Sequence, residues 1–149
     1  MNDDPSAPPP SGSAAPHGRG ASGSEPATIR HAATVVVLRP SAAGREVYMV
    51  RRSAKSPFMP STLVFPGGRL DPEDGAPEAD PTWERAARRE SHEEARLRLD
   101  DHPLRWFDTW LTPSAESKRR YLARFYLVQL EAGEGAEARA DGVETHEGR

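Results

Sequence analysis

Apolar and polar positions along the chain fall into blocks with different periods. His31–Leu38 is β-branched and nearly all apolar, the pattern of a buried central strand. Pro40–Gly44 supplies a turn. Glu46–Arg52 then alternates, predicting a second strand hairpinned to the first and ending in two basic residues. Thr62–Phe65 is a short apolar strand that delivers the chain to Gly67-Gly68, and Pro72–Pro81 is too rich in proline for a helix. From there the period changes. Trp83, Ala87, Glu94 and Leu97 recur at helical spacing, predicting a helix over Pro81–Leu97 with Asp80 as its N-cap. Leu104–Leu111, with Trp106, Phe107 and Trp110, and Arg120–Leu130 predict two more strands, the second buried toward its C-terminal half. Strands flanking one principal helix make a mixed α/β class.

Composition narrows the picture. A chain of 149 residues suits one domain. Residues 1–28 are Pro, Ser, Ala and Gly with almost no large apolar side chain, so they are expected to be a disordered tail. The domain proper is expected over 29–131, with 132–149 a flexible acidic tail. The formal net charge of -3 gives no electrostatic case for a nucleic-acid or membrane partner. The absence of cysteine excludes disulfides and thiolate metal sites. No apolar run reaches the roughly 18–20 residues that span a bilayer, and no signal-like apolar region opens the chain, so a cytoplasmic location is expected by default.

The candidate chemistry lies on the helix. Glu90, Glu93 and Glu94 sit at i, i+3 and i+4 and share one face, where like charges destabilise a helix by a few tenths of a kcal/mol per pair. A hard cation such as Mg²⁺ or Mn²⁺ would reverse that cost. A glutamate-rich face is more often merely solvated, but here Arg89 directly precedes the first glutamate and a Gly-Gly turn leads in. The apolar stripe adjoins the acidic face, which puts the carboxylates at the edge of a core. Gly67 and Gly68 allow close approach of a backbone or ligand. Arg51 and Arg52 are candidates for substrate phosphates, with a solvated strand end an equal alternative. His31, His92 and His102 receive no role.

Gly68, Arg89-Glu90, Glu93-Glu94 and Leu97 resemble the Nudix box: a Gly, five residues, a Glu, seven residues, then Arg-Glu, an apolar residue, any residue, Glu-Glu, any residue, Gly and an apolar residue. The resemblance implies a Nudix fold, a mixed β-sheet in an α/β/α sandwich whose box forms a loop–helix–loop. It implies hydrolysis of a nucleoside diphosphate derivative with Mg²⁺ or Mn²⁺. Glu90, Glu93 and Glu94 match the family's metal-binding glutamates, and Arg89 the arginine that orients the first of them. Arg51-Arg52-Ser53, Phe58-Met59-Pro60 and Val64–Asp71 are most similar to the coenzyme A (CoA) and acyl-CoA diphosphatase branch, whose products would be 3′,5′-ADP and 4′-phosphopantetheine or its acyl form. The box spacing places Asp74 where the family has Glu, and Arg89 seven residues beyond position 82, where the arginine would otherwise fall.

Three departures from the family pattern stand out. Ser91 occupies an apolar position. Arg96 replaces the box glycine, so the helix is expected to run on toward Arg98 or Leu99. The family continues beyond an acidic segment like Asp141–Glu144 with a strand and a helix, which this chain is expected to lack. The resemblance places a further carboxylate base near that segment, with Glu144 and Glu147 as candidates. A missing strand would expose a sheet edge, making a homodimer an expected assembly. The departures also motivate a second reading, a catalytically weak or inactive nucleotide-binding module.

Overall fold

In chain order the elements are β1 (Ile29–Ser41), β2 (Gly44–Tyr48), β3 (Val50–Arg52), β4 (Leu63–Val64), β5 (Gly67–Arg69), α1 (Asp80–Ala95), β6 (Arg105–Leu111), β7 (Arg120–Gln129) and β8 (Thr145–Gly148). The computed structural model describes residues 28–57, 59–113, 119–136, 138 and 145–148. All but residue 28 of the expected N-terminal tail over 1–28, Phe58, and residues 137, 139–144 and 149 of the expected acidic tail over 132–149, Glu144 among them, lie outside the described residues.

Strand β1 runs through the middle of a five-stranded mixed sheet. It pairs antiparallel with β2 and β5 and parallel with β7, which carries β6 on its far side. The β1–β2 hairpin is the one the alternation predicts. Burial on β1 alternates, with Ala33, Val35 and Val37 buried and their neighbours half-buried. The expectation of a strand buried throughout is corrected, because the face carrying Arg30, Ala32 and Thr34 lines an open cleft.

The predicted strand over Glu46–Arg52 is two strands, broken at Met49. β2 stays with β1, while β3 pairs antiparallel with β4 and β8 in a second, three-stranded sheet. Strand β8 corrects two expectations, the flexible tail over 132–149 and the absence of a strand after Asp141–Glu144. Thr145–Gly148, within the stretch read as a flexible tail, is ordered against β3, with Val50 opposite Gly148 and Arg51 opposite Glu147.

Helix α1 is the one helix among the described residues, and none there is long and apolar enough to cross a membrane. Its buried face carries Trp83, Ala86, Ala87 and Ala95, which join Ala33, Val35, Tyr126 and Val128 in the core. It starts one residue before the predicted position. Ala79 is the N-cap and makes no side-chain capping bond, while Asp80 and a proline occupy the first turn. Asp80 is therefore not the cap, and its carboxylate instead accepts from Arg124 Nη1 at 2.7 Å.

The helix stops at Ala95 and does not run on. Arg96 adopts the left-handed conformation (φ 58°, ψ 18°), its N–H donating to the His92 carbonyl at 3.0 Å, and the Leu97 N–H donates to the Ser91 carbonyl at 3.1 Å. The left-handed residue costs about 1–2 kcal/mol. The turn buries Leu97 and Leu99 at 2% and 1% exposure, each stabilising by about 1.5–3 kcal/mol, so the stop wins without a glycine. Ser91 is accommodated as well. It is fully buried, and its hydroxyl donates to the Ala87 carbonyl at 2.7 Å.

Candidate active site

The cleft has a volume of about 1240 Å³ and lies between one face of the main sheet and the segment from Met49 to Phe65. Strand alternation selects its lining: Arg30, Ala32 and Thr34 from β1, and Tyr121, Ala123 and Phe125 from β7. Helix α1 brings Glu90, Glu93 and Glu94 to it, and β5 brings Gly67 and Gly68. All five of these predicted residues therefore meet in one place.

Arg89 organises the acidic edge. Its Nε donates to Asp74 Oδ1 at 3.1 Å, and its Nη2 donates to Asp74 Oδ2 at 2.8 Å and to the Arg69 carbonyl at 3.0 Å. Its Nη1 donates to Glu90 Oε1 and to Glu93 Oε2, both at 3.0 Å. These bonds match the five N–H groups of a guanidinium. The hydrogen bond to Asp74, opposed by partial burial and aided by the charge of Glu90, raises the Arg89 pKa further. Burial pushes the Asp74 carboxyl up, but the Arg89 hydrogen bond, the Asp71 N–H and the nearby arginine charges outweigh it and hold the group below its ordinary range. Asp74 is only 4% exposed.

The two glycines are required by close contacts. Gly67 has φ +154°, and a Cβ there would stand 2.7 Å from Thr34 Cα of the neighbouring strand. Its N–H donates to Glu94 Oε2 at 3.1 Å. A Cβ on Gly68 would run into the Glu90 carboxylate.

Arg51 and Arg52 part company, as consecutive strand residues do. Arg52 lines the cleft, where its guanidinium meets the Ser56 hydroxyl at 3.0 and 3.2 Å. Arg51 is not among the lining residues, and its Nη1 donates to the Ser61 carbonyl at 2.9 Å. Arg30, Lys55, Arg69 and Arg119 also line the cleft, a role their sequence context does not predict. Only Arg30 carries a hint of it, in its two-residue spacing from Ala32 and Thr34. Asp74 was marked by its place six residues after Gly68, yet its hold on Arg89 emerges only in three dimensions.

A family model described as "NUDIX domain" matches residues 29–148. The chain belongs to the Nudix domain family. It is a Nudix hydrolase, and enzymes of this family generally use divalent metal ions. A Nudix hydrolase from Alicyclobacillus acidocaldarius is similar in structure, with a TM-score of 0.69 and 26% identity over 81% of this chain and 78% of that one. An Ap4A hydrolase from C. elegans in a binary complex superposes with a TM-score of 0.61 and 20% identity over 80% and 77% of the two chains. The Nudix domain of Shewanella oneidensis NrtR, complexed with ADP ribose, gives 0.64 and 14% identity over 82% and 71%. The last two share the fold. A comparison with curated proteins finds no significant match.

The donor set of this Nudix site suits a hard divalent cation. Asp74, Glu90 and Glu93 share one guanidinium, and Glu94, 3% exposed, stands beside them, leaving an excess of carboxylate charge at the cleft edge. Among the described residues the acidic side chains are not gathered around one point, since Glu90 and Glu93 are turned onto Arg89.

Proposed function

We propose that this Nudix hydrolase cleaves the diphosphate bond of a nucleoside diphosphate derivative, with Glu90, Glu93 and Glu94 as the residues that hold Mg²⁺ or Mn²⁺. One observation carries the reading. A single cleft joins these three carboxylates to Arg30, Arg52, Lys55, Arg69 and Arg119, so oxygen donors for a cation and basic groups for phosphates face the same space. When bound, the cation neutralises diphosphate charge and lowers the pKa of a water.

The chain's own residues do the rest. Arg89 orients Glu90 and Glu93 through its Nη1, and the Gly67 N–H orients Glu94. Gly67 lets β5 pack on the backbone of β1 and Gly68 leaves room for the Glu90 carboxylate, so the β5 backbone lies beside the carboxylates at the cleft. Arg52 meets the substrate phosphates from the opposite wall. Glu93, whose side chain is 56% exposed, would accept the proton of the attacking water.

Within this class we favour CoA or acyl-CoA, cleaved to 3′,5′-ADP and 4′-phosphopantetheine or its acyl form. The support is the Val64–Asp71 pattern and the insert Pro72–Pro81. Incubation with Mg²⁺ or Mn²⁺ and CoA, acyl-CoA, ADP-ribose, Ap4A or NADH tests both levels. Turnover is expected, abolished by chelator and restored by metal. No turnover above a Glu93→Gln/Glu94→Gln control on any of them would sink the hydrolase assignment of these residues. Preference for ADP-ribose or Ap4A would overturn the CoA reading alone.

A further inference from the structure

We propose that Trp110 and Phe107 on edge strand β6, with Phe125 on β7, form a stacking platform for the planar base of the nucleotide substrate. This rests on the cleft being a nucleoside diphosphate site and specifies which wall takes the base.

Continuity is the first argument. Phe125 lines the cleft on the same sheet face as Tyr121 and Ala123. Its ring lies 5.9 Å from Trp110 and 6.3 Å from Phe107, both tilted. The apolar wall therefore begins inside the cleft and runs outward to the sheet edge. Trp110 is paired with Ala123, which puts it on the cleft face.

The second argument is preorganisation. Trp110 Nε1–H donates to the Asp108 carboxylate at 2.5 Å, which satisfies the indole's polar atom and fixes the ring. Trp110 nevertheless remains 65% exposed and Phe107 54%. A flat surface held in place costs little ordering entropy when a flat ligand settles on it. Charge supplies the third argument. The basic groups Arg30, Arg52, Arg69 and Arg119 lie within the cleft, so a substrate anchored there by its phosphates offers its uncharged end to the aromatic wall.

Trp106 provides an internal control. It is 51% exposed on the same strand, but a bulge after it puts it opposite Tyr126, on the other sheet face, where its ring stacks on the Arg124 guanidinium at 4.3 Å.

The test is calorimetric titration of the full chain with ADP and with inorganic pyrophosphate in Mg²⁺, for the wild type and for Trp110→Ala, Phe107→Ala and Trp106→Ala. Each substituted side chain is more than half exposed, so the fold should persist. Loss of base stacking is expected to weaken ADP binding roughly tenfold or more in Trp110→Ala and Phe107→Ala. Pyrophosphate binding should not change, and Trp106→Ala should match the wild type. Unchanged ADP affinity in Trp110→Ala overturns the platform, as does an equal loss for pyrophosphate. So does a halving of the solution mass on Trp110→Ala, which would make this face a contact between two copies of the chain. Binding is read without hydrolysis. Base-dependent binding in a protein that turns nothing over would keep the platform and remove the hydrolase reading, and turnover indifferent to Trp110 would do the reverse.

Discussion

Arg89 and Asp74 meet in a two-pronged ion pair across fifteen residues of chain, Nε to Oδ1 at 3.1 Å and Nη2 to Oδ2 at 2.8 Å. The insert between them does not separate them. Trp83 Nε1 donates to the Pro77 carbonyl at 2.8 Å, and Arg85 Nε donates to the Asp74 carbonyl at 2.6 Å, so the loop is fastened back onto the helix. Two-pronged pairing is geometrically selective, and it leaves Nη1 aimed at Glu90 and Glu93.

Replacing Asp74 with Asn therefore leaves a partly buried guanidinium short of its main partner. A loss of about 2–3 kcal/mol is expected, or a fall in melting temperature of roughly 5–10 °C. The sign of the pH dependence follows from the depressed Asp74 pKa. Its contribution is full above the unfolded carboxylate value of about 3.9 and is lost as pH falls through the lower folded value. Thermal melts of wild type and Asp74→Asn should stand apart at pH 7 and converge below about pH 4. A gap that persists unchanged to pH 2 would show that Asp74 does not act through its charge.

The sequence carried the periods and the box, and these located β4, α1, β6 and β7 within a residue or two. Leu97 and Leu99 show why the helix stop was missed. A left-handed Arg96 looks unfavourable locally, and only the burial of two leucines beyond it makes it worthwhile. Strand β8 was missed for a related reason. Thr145–Gly148 has no apolar period of its own and is strand only because β3 offers it a ladder. The acidic half of the site was legible because its members share one helix turn. Of the basic half only Arg52 was legible, since Arg30 and Arg69 reach the cleft through strand pairing at long sequence separation.

Arg89→Lys keeps the charge and removes the fork. A lysine has three donors on one atom, so it cannot reproduce the set that joins Asp74, the Arg69 carbonyl, Glu90 and Glu93. Metal affinity measured by Mn²⁺ titration is expected to fall by roughly 10–100-fold. Wild-type affinity in this variant would mean that charge alone positions the glutamates.

Gly67 and Gly68 are expected to fail differently. A methyl on Gly68 meets the end of the Glu90 side chain, which is able to move, whereas a methyl on Gly67 meets the backbone of β1 at a positive φ. Gly68→Ala should therefore displace Glu90 and cost on the order of 10²-fold in kcat with a small change in melting temperature. Gly67→Ala should lower the melting temperature more. Measuring both quantities for both variants checks the contrast, and an equal stability loss would refute it.

Arg96 combines a conformational cost with a place on the cleft wall. Arg96→Gly removes a left-handed penalty of about 1–2 kcal/mol and adds an entropic cost of about 0.5–1 kcal/mol in the unfolded chain. The net gain should be about 0.5–1 kcal/mol, or roughly 2–4 °C in melting temperature. Losing the guanidinium should raise KM for an anionic substrate at the same time. Arg96→Ala separates the two effects, because it loses the charge and keeps the strained backbone. It should match Arg96→Gly in KM and stay near wild type in melting temperature. If Arg96→Gly melts no higher than Arg96→Ala, the left-handed conformation at this position costs no more than the roughly 0.5–1 kcal/mol of glycine entropy, and the expected gain is refuted.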